Sequence, residues 1–280
     1  MTRVAVVTCQ GVDVDPDSPQ LLGALDDVGV SAELAVWDDP DVAWNDYDLV
    51  VVRSTWDYAA RRREFLDWAR GVARLVNPYR VLEYSSDKHY LGDLARRGHA
   101  VVASTFVDVG EVPVFPDVDF VVKPTVGAGS IDAERYRPDQ VDAARDHVAR
   151  LHALGRDVMV QPYVDSVDVS GERALVFIDA EFSHAMTKAA MLNVAQDERD
   201  MLFRREQMSR ATPEDDAVAF ATTVLKEFDA DELLYARVDL VRDHDAWAIM
   251  ELELVEPSLF LGYDAHAAKR LARAIARRLT

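Results

Sequence analysis

Cysteine is all but missing from this 280-residue chain: Cys9 stands alone, which excludes internal disulfides and a Cys-rich zinc site and fits a reducing cytoplasm. At the end of an apolar strand, a lone thiol reads as core packing and not as a nucleophile. No apolar run reaches the roughly 18 residues that a membrane-spanning helix needs. The start, MTRVAVVTCQGVDVDP, turns acidic without an apolar h-region or a small-residue cleavage site, so neither a membrane segment nor a signal peptide is expected. The first strand runs into CQGVDVD without GxGxxG, which removes the dinucleotide fingerprint, and the 7 histidines form neither HExxH nor another ligand spacing. Positive charge is short as well. A formal charge of -19 repels nucleic acid and anionic lipid over most of the surface, so an anionic ligand must meet a local cluster of cations. Basic residues are mostly Arg, and the only lysines are Lys88, Lys123, Lys188, Lys226 and Lys269.

What is present reads as a mixed α/β and α+β chain of three packed subdomains, at residues 1–99, 100–165 and 166–280. In the first, near-continuous apolar runs at 4–9 and 49–54, with SAELAVW (31–37) between them, predict a small parallel sheet covered on both faces. A helical stripe through Leu21, Leu22, Leu25 and Val28 closes at Gly29, and 61–76 reads as one amphipathic helix. NPYRVLEYSSDKHYLGDLARRG then reads as a Pro-bearing turn and a short helix ending at Gly98. From about residue 100 short strands predict an antiparallel unit: HAVVASTFV, DFVVKPT, DAERY and DVMVQPYV, with one helix over DQVDAARDHVARLHALG. The last third adds strands ERALVFID, EFSHAMTKAA, LLYARVDLV and AWAIMELELV, a helix over PEDDAVAFATTVLKEFD and a closing Arg-rich amphipathic helix.

Several segments carry chemistry. In VVKPTVGAGS (121–130) a strand delivers Lys123 and a turn with Gly127, Gly129 and Ser130 follows; backbone amides of such a loop wrap phosphates, although an ordinary glycine hairpin explains it equally well alone. The Lys precedes the glycines and no helix follows, so it is not a Walker A loop. VMVQPYVD runs an apolar strand into Gln161 and Tyr163, an edge that can offer backbone groups to an adenine rim. SGERALVF and SHAMTKAAM carry Arg173 and Lys188 into apolar strands, where charges need partners. In ARVDLV and IMELELVEP, alternation puts Arg237 with Asp239 on one strand face and Glu251 with Glu253 on another, opposite Met250, Leu252 and Leu254. If these strands pair, three carboxylates converge, and hard oxygen ligands beside phosphate favour Mg²⁺. RSTWDY (53–58) follows an apolar strand, where open α/β sheets place ligands. Arg53, Ser54, Thr55 and Asp57 can grip a small zwitterion there; the alternative is Trp56 and Tyr58 as core aromatics with Arg53 in a salt bridge.

The order Lys88, Lys123 with its glycine loop, QPY, Lys188, RVD and ELE resembles the ATP-grasp superfamily of ligases, nearest its glutathione-synthetase-like branch, over residues 75–280. The resemblance implies an ATP-grasp fold with an N-terminal βαβ subdomain, a small antiparallel lid and a C-terminal α+β subdomain. It implies ATP and Mg²⁺, with Lys88 and Lys123 on the phosphates, Gly127 to Ser130 as their cover, Gln161 and Tyr163 at the adenine, and Asp239, Glu251 and Glu253 as metal ligands. Many members have Asn at the position of Glu253. Arg237, Lys188 and Arg173 would hold the reacting anion. VVRSTWDY, HAMTK and ELELVEPSLFL resemble the clade that closes O-ureido-D-serine into D-cycloserine, which implies an antibiotic-biosynthetic ligase acting on a small amino-acid carboxylate. An intermolecular amide ligase and a nucleotide-binding regulator that has lost ligase chemistry are the alternatives. Both a monomer and a homo-oligomer stay open.

Overall fold

The computed structural model describes residues 2–11, 15–190 and 208–279, which build three sheets. The first is wholly parallel, in the order β2-β1-β3-β4, with β1 at Arg3–Thr8, β2 at Ser31–Val36, β3 at Leu49–Ser54 and β4 at Leu75–Val76. Strand alternation divides its apolar runs between two cores. Val4, Val6 and Val51 pack with Leu21 and Leu25 of helix α1 (Asp17–Asp27) and with Leu271 and Ile275 of the last helix, α8 (Ala267–Arg277). Ala5, Val7, Val50 and Val52 face Trp37 and Phe65, the latter on helix α2 (Arg62–Gly71). Each such fully buried side chain is worth about 1.5–3 kcal/mol over its exposed state.

The single helix expected over 61–76 stops at Gly71, and Leu75 and Val76 become the edge strand β4. The physical reason lies in the open edge of β3. Val50 N–H donates to Arg74 O at 2.9 Å and Leu75 is buried, gains that a continuing surface helix could not provide. The turn expected after Pro78 is instead a helix, α3 (Tyr79–Ser85), which Pro78 precedes at φ -69°, and α4 (Tyr90–Arg96) follows.

The second sheet is antiparallel, in the order β5-β8-β6-β7: β5 at Thr105–Val107, β6 at Phe120–Pro124, β7 at Glu134–Tyr136 and β8 at Val158–Pro162. Helix α5 (Val141–Ala153) covers one face through Val148 and Leu151. The strand expected over HAVVASTFV is short because Val102 N–H donates to Ile249 O and Ala100 O accepts from Ile249 N–H, each at 3.0 Å, which sets Val101 beside Ile249 instead.

The third sheet, β11-β10-β9-β12-β13, is antiparallel, with β9 at Glu172–Ile178, β10 at Glu181–Lys188, β11 at Met208–Ala211, β12 at Tyr235–Asp243 and β13 at Ala246–Glu253. The short helix α6 (Ser166–Ser170) leads into β9, and α7 (Asp215–Leu225) buries Ala217, Ala221 and Val224 against the sheet. Neither α6 nor β11 has a sequence signal long enough to read. Buried Asn77 ties the first sheet to the third: its Nδ2 donates to Tyr235 O (3.0 Å) and Leu254 O (2.8 Å), and its Oδ1 accepts from Leu234 N (2.8 Å). Among the described residues no helix is long and apolar enough to cross a membrane.

Candidate active site

A cavity of about 750 Å³ lies where the three sheets meet. The second sheet contributes Lys123 from β6, the turn from Gly127 to Ser130, and Gln161 and Tyr163 at the end of β8. The third sheet contributes Glu172, Lys188, Arg237, Glu251 and Glu253, and Lys88 comes from the turn between α3 and α4.

Antiparallel register explains why the charges converge: Arg237 lies opposite Glu253, and Asp239 opposite Glu251. Arg237 grips the Asp239 carboxylate with two donors, Nε at 2.9 Å and Nη2 at 3.0 Å, and also donates to Glu253 Oε1. Lys188 Nζ donates to Asp239 Oδ2 at 3.0 Å and stands 3.3 Å from Glu172 Oε2. Lys123 Nζ donates to Glu251 Oε1 at 2.9 Å, and Lys88 Nζ to Gly127 O at 2.9 Å.

Charge and burial pull these acids apart. Burial raises the Asp239 pKa, but Arg237 and Lys188 outweigh it and hold the carboxyl ionised. Glu251 is likewise buried, and Lys123, Lys88 and Lys188 keep it well below the usual carboxylate range. Glu253 goes the other way, to about 7: burial dominates, Arg237 opposes it, and Asp239 and Glu251 reinforce it. Burial also raises Glu172, against the pull of Lys188.

The three carboxylates expected to hold a metal differ in their surroundings. Asp239 is 0% exposed and both its oxygens are engaged by cations, and among the described residues no three acidic, His or Cys side chains are disposed to hold an ion. Glu251 and Glu253 remain, side by side on one strand face at the cavity. Two hard carboxylates beside a phosphate-sized space suit Mg²⁺, which takes one or two protein carboxylates and completes its shell with water and phosphate.

The glycine turn enters the left-handed region at Gly129 (φ 61°), Ser130 (φ 56°) and Asp132 (φ 57°). Arg150 and Arg156 hold Asp132 at 2.9 and 2.6 Å and so fix the turn from behind. Gln161 is buried with Nε2 donating to Ser104 Oγ at 2.8 Å, while Tyr163 OH donates to Asp168 Oδ1 at 2.6 Å beneath the Arg135 guanidinium.

Two assignments move. Arg173 faces away from the cavity, donating to Ser170 O (2.9 Å) and Thr187 Oγ1 (3.1 Å), and its neighbour Glu172 lines the cavity instead. Adjacent strand residues point to opposite faces, and Gly171, at φ 67° and too close to the Lys188 carbonyl to carry a Cβ, sets which one turns inward. In RSTWDY the cavity wall is made by Trp56 and Tyr58. Arg53, Ser54, Thr55 and Asp57 lie behind it: Arg53 Nη2 donates to Pro257 O (2.6 Å) near Asp17, Ser54 to Thr8, Thr55 is fully buried, and Asp57 accepts from the Trp37 indole at 2.9 Å. The run bends into a single-turn helix after Thr55, so strand alternation stops predicting direction there.

Sequence reasoning also missed Asp17, Glu256 and Met250, all of which line the cavity. Asp17 accepts the N–H groups of Leu259 and Leu261, each at 2.8 Å, from 242 and 244 residues away, a contact with no local signal. Alternation places Met250 with Leu252 and Leu254 on the strand face opposite Glu251 and Glu253. Asp239 pairs with Glu251 and Leu240 with Ile249, so Met250 is the extra residue of a bulge and turns toward the cavity.

A family described as the N-terminal domain of D-cycloserine synthetase DcsG matches residues 4–77. The chain is 38% identical to the cycloserine biosynthesis protein DcsG of Streptomyces lavendulae, covering 100% of this chain and 99% of that one. The crystal structure of D-cycloserine synthetase DcsG superposes at a TM-score of 0.88 with 37% identity, over 99% of this chain and 100% of the other. A D-alanine–D-alanine ligase from Bacillus anthracis, solved with ATP, shares the fold at a TM-score of 0.71 and 14% identity, over 100% of this chain and 97% of its own. Whole-length identity and whole-chain superposition thus agree, and the chain belongs to the DcsG family of ATP-grasp ligases.

Proposed function

We propose that this enzyme is an ADP-forming cyclo-ligase that activates the carboxylate of O-ureido-D-serine and closes it into D-cycloserine. The γ-phosphoryl group passes from ATP to the carboxylate, breaking its bond to ADP. The ureido nitrogen bonded to oxygen then attacks the acyl carbon, forming the C–N bond as phosphate leaves, and hydrolytic loss of the carbamoyl group frees the ring.

The observation that carries this reading is the meeting of lid and base: Lys123 reaches Glu251 at 2.9 Å beside Lys188 and Arg237, in one cavity of about 750 Å³. That cavity is large enough for a nucleotide and a small amino acid. Lys88 and Lys123 bind the phosphates under the Gly127 to Ser130 turn, and Gln161 and Tyr163 mark the adenine end. Glu251 and Glu253 would hold Mg²⁺, which neutralises charge on the phosphoryl group. Arg237 and Lys188, both anchored on Asp239, steady the acyl phosphate. Because phosphoryl transfer needs little covalent chemistry from protein, position and charge supply the acceleration. ATP supply and a reduced Cys9 favour action in the cytoplasm.

The test is ADP and phosphate release by the purified enzyme with O-ureido-D-serine, with product mass read in parallel. Release that depends on this substrate, with a product carrying no second amine, supports the proposal. A product heavier by a second amine overturns cyclisation in favour of intermolecular ligation, and nucleotide binding without any product favours a regulator.

A further inference from the structure

Five acidic residues line the cavity among the described residues: Asp17, Glu172, Glu251, Glu253 and Glu256. Four are already engaged. Asp17 accepts two backbone N–H groups, Glu172 faces Lys188, Glu251 is bonded to Lys123, and Glu253 to Arg237. Glu256 differs, because among the described residues no side chain donates to it and no Lys, Arg or His stands within 4 Å. It follows β13 by three residues and shares the cavity wall with Trp56 and Tyr58, away from the Gly127 to Ser130 turn in sequence and in sheet. An α-amino carboxylate brings one positive charge beside its reacting group, and every cation-binding carboxylate but this one is committed.

We infer that Glu256 is the counter-charge for the α-ammonium group of the amino-acid substrate. The inference rests on the amino-acid ligase reading and adds to it the residue that would make a free α-amine a requirement. The neighbouring aromatic rings, Trp56 and Tyr58, exclude water from such a pair and strengthen it. Glu256 agrees in its titration: burial, reinforced by the charge of Glu253 and opposed by Lys88, pushes it up to about 8, as expected of a carboxyl that lacks a partner until a cation arrives.

The experiment compares O-ureido-D-serine with 3-(ureidooxy)propanoate, the same molecule without its amine, in wild type and Glu256→Gln, by initial rates of ADP release. The inference expects the KM for the amino acid to rise about 10- to 100-fold in the variant, the range for loss of a charged hydrogen bond. The KM for ATP should stay put, as should the melting temperature near pH 5, where the unfolded chain still keeps much of the proton. The deaminated analogue should bind weakly to both proteins and show no further loss in the variant. An unchanged KM for the amino acid, or an equal loss for both compounds, overturns the inference. A wild type inert with O-ureido-D-serine overturns the cyclo-ligase proposal instead; Glu256 is then judged by the same comparison on an α-amino carboxylate that the enzyme does turn over. Inertness toward every α-amino carboxylate overturns both.

Discussion

Lys123 Nζ meets Glu251 Oε1 at 2.9 Å, joining β6 of the second sheet to β13 of the third sheet across the cavity. Under the proposed function, a nucleotide phosphate or Mg²⁺ entering there exchanges one partner of this pair for another. Lys123→Ala should weaken MgATP binding by about tenfold or more, the scale of one charge-assisted contact. Glu251→Gln should lower kcat by about 100-fold or more with little change in melting temperature. Titration calorimetry and steady-state rates check both, and undiminished MgATP affinity in Lys123→Ala removes the lysine from the phosphate site.

Asp239 is the buried anchor of two cations. Asp239→Ala should cost about 3–5 kcal/mol, because Arg237 and Lys188 are then left without their shared carboxylate. The expected fall in melting temperature is about 10 °C for a chain of this size. A fall of no more than about 2 °C would place Asp239 outside the structural network and reopen it as a metal ligand.

Glu256 gives a stability signature in the ligand-free enzyme. Its folded pKa, about 8, lies above the reference value of 4.5, so between those values the folded chain keeps a proton that the unfolded chain has released. Stability from this group is therefore complete below about pH 4.5 and is lost as pH rises through 8. Glu256→Gln should melt close to wild type near pH 5 and about 10 °C above it at pH 8.5. A difference that does not vary with pH contradicts the assignment.

Glu172 and Arg173 separate the two faces of β9. Arg173→Ala should leave nucleotide affinity and kcat within about twofold, since the side chain contacts Ser170 and Thr187 on the far side. Glu172→Gln, which changes the charge facing Lys188, should alter turnover. The reverse pattern would restore Arg173 to the site.

These outcomes also show where a sequence is readable. Val4 to Val7 and Val50 to Val52 announce themselves as continuous apolar runs buried on both faces, and the RVD and ELE runs alternate charged with apolar side chains, so that pairing of their strands sets Arg237 opposite Glu253. The fold class and the Lys123 and Glu251 part of the cavity were legible for that reason, whereas Lys88, in the turn between α3 and α4, was marked only by the scarcity of lysine and the family resemblance. Misreadings occur where one residue breaks the period: the bulge at Met250, the turn after Thr55, and Gly171, which decides whether Glu172 or Arg173 faces inward. Leu75 and Val76 look helical in isolation and are strands only because β3 leaves an open edge. Asp17 could not be found locally, since its partners lie 242 and 244 residues away.

Substrate-dependent ADP release with product mass is the most direct measurement of the central claim. With ATP, Mg²⁺ and O-ureido-D-serine as the only reactants, the enzyme should release one ADP and one phosphate per molecule of D-cycloserine formed, and none without the carboxylate. ADP release that ignores the carboxylate, or a product joined to a second amine, would contradict it.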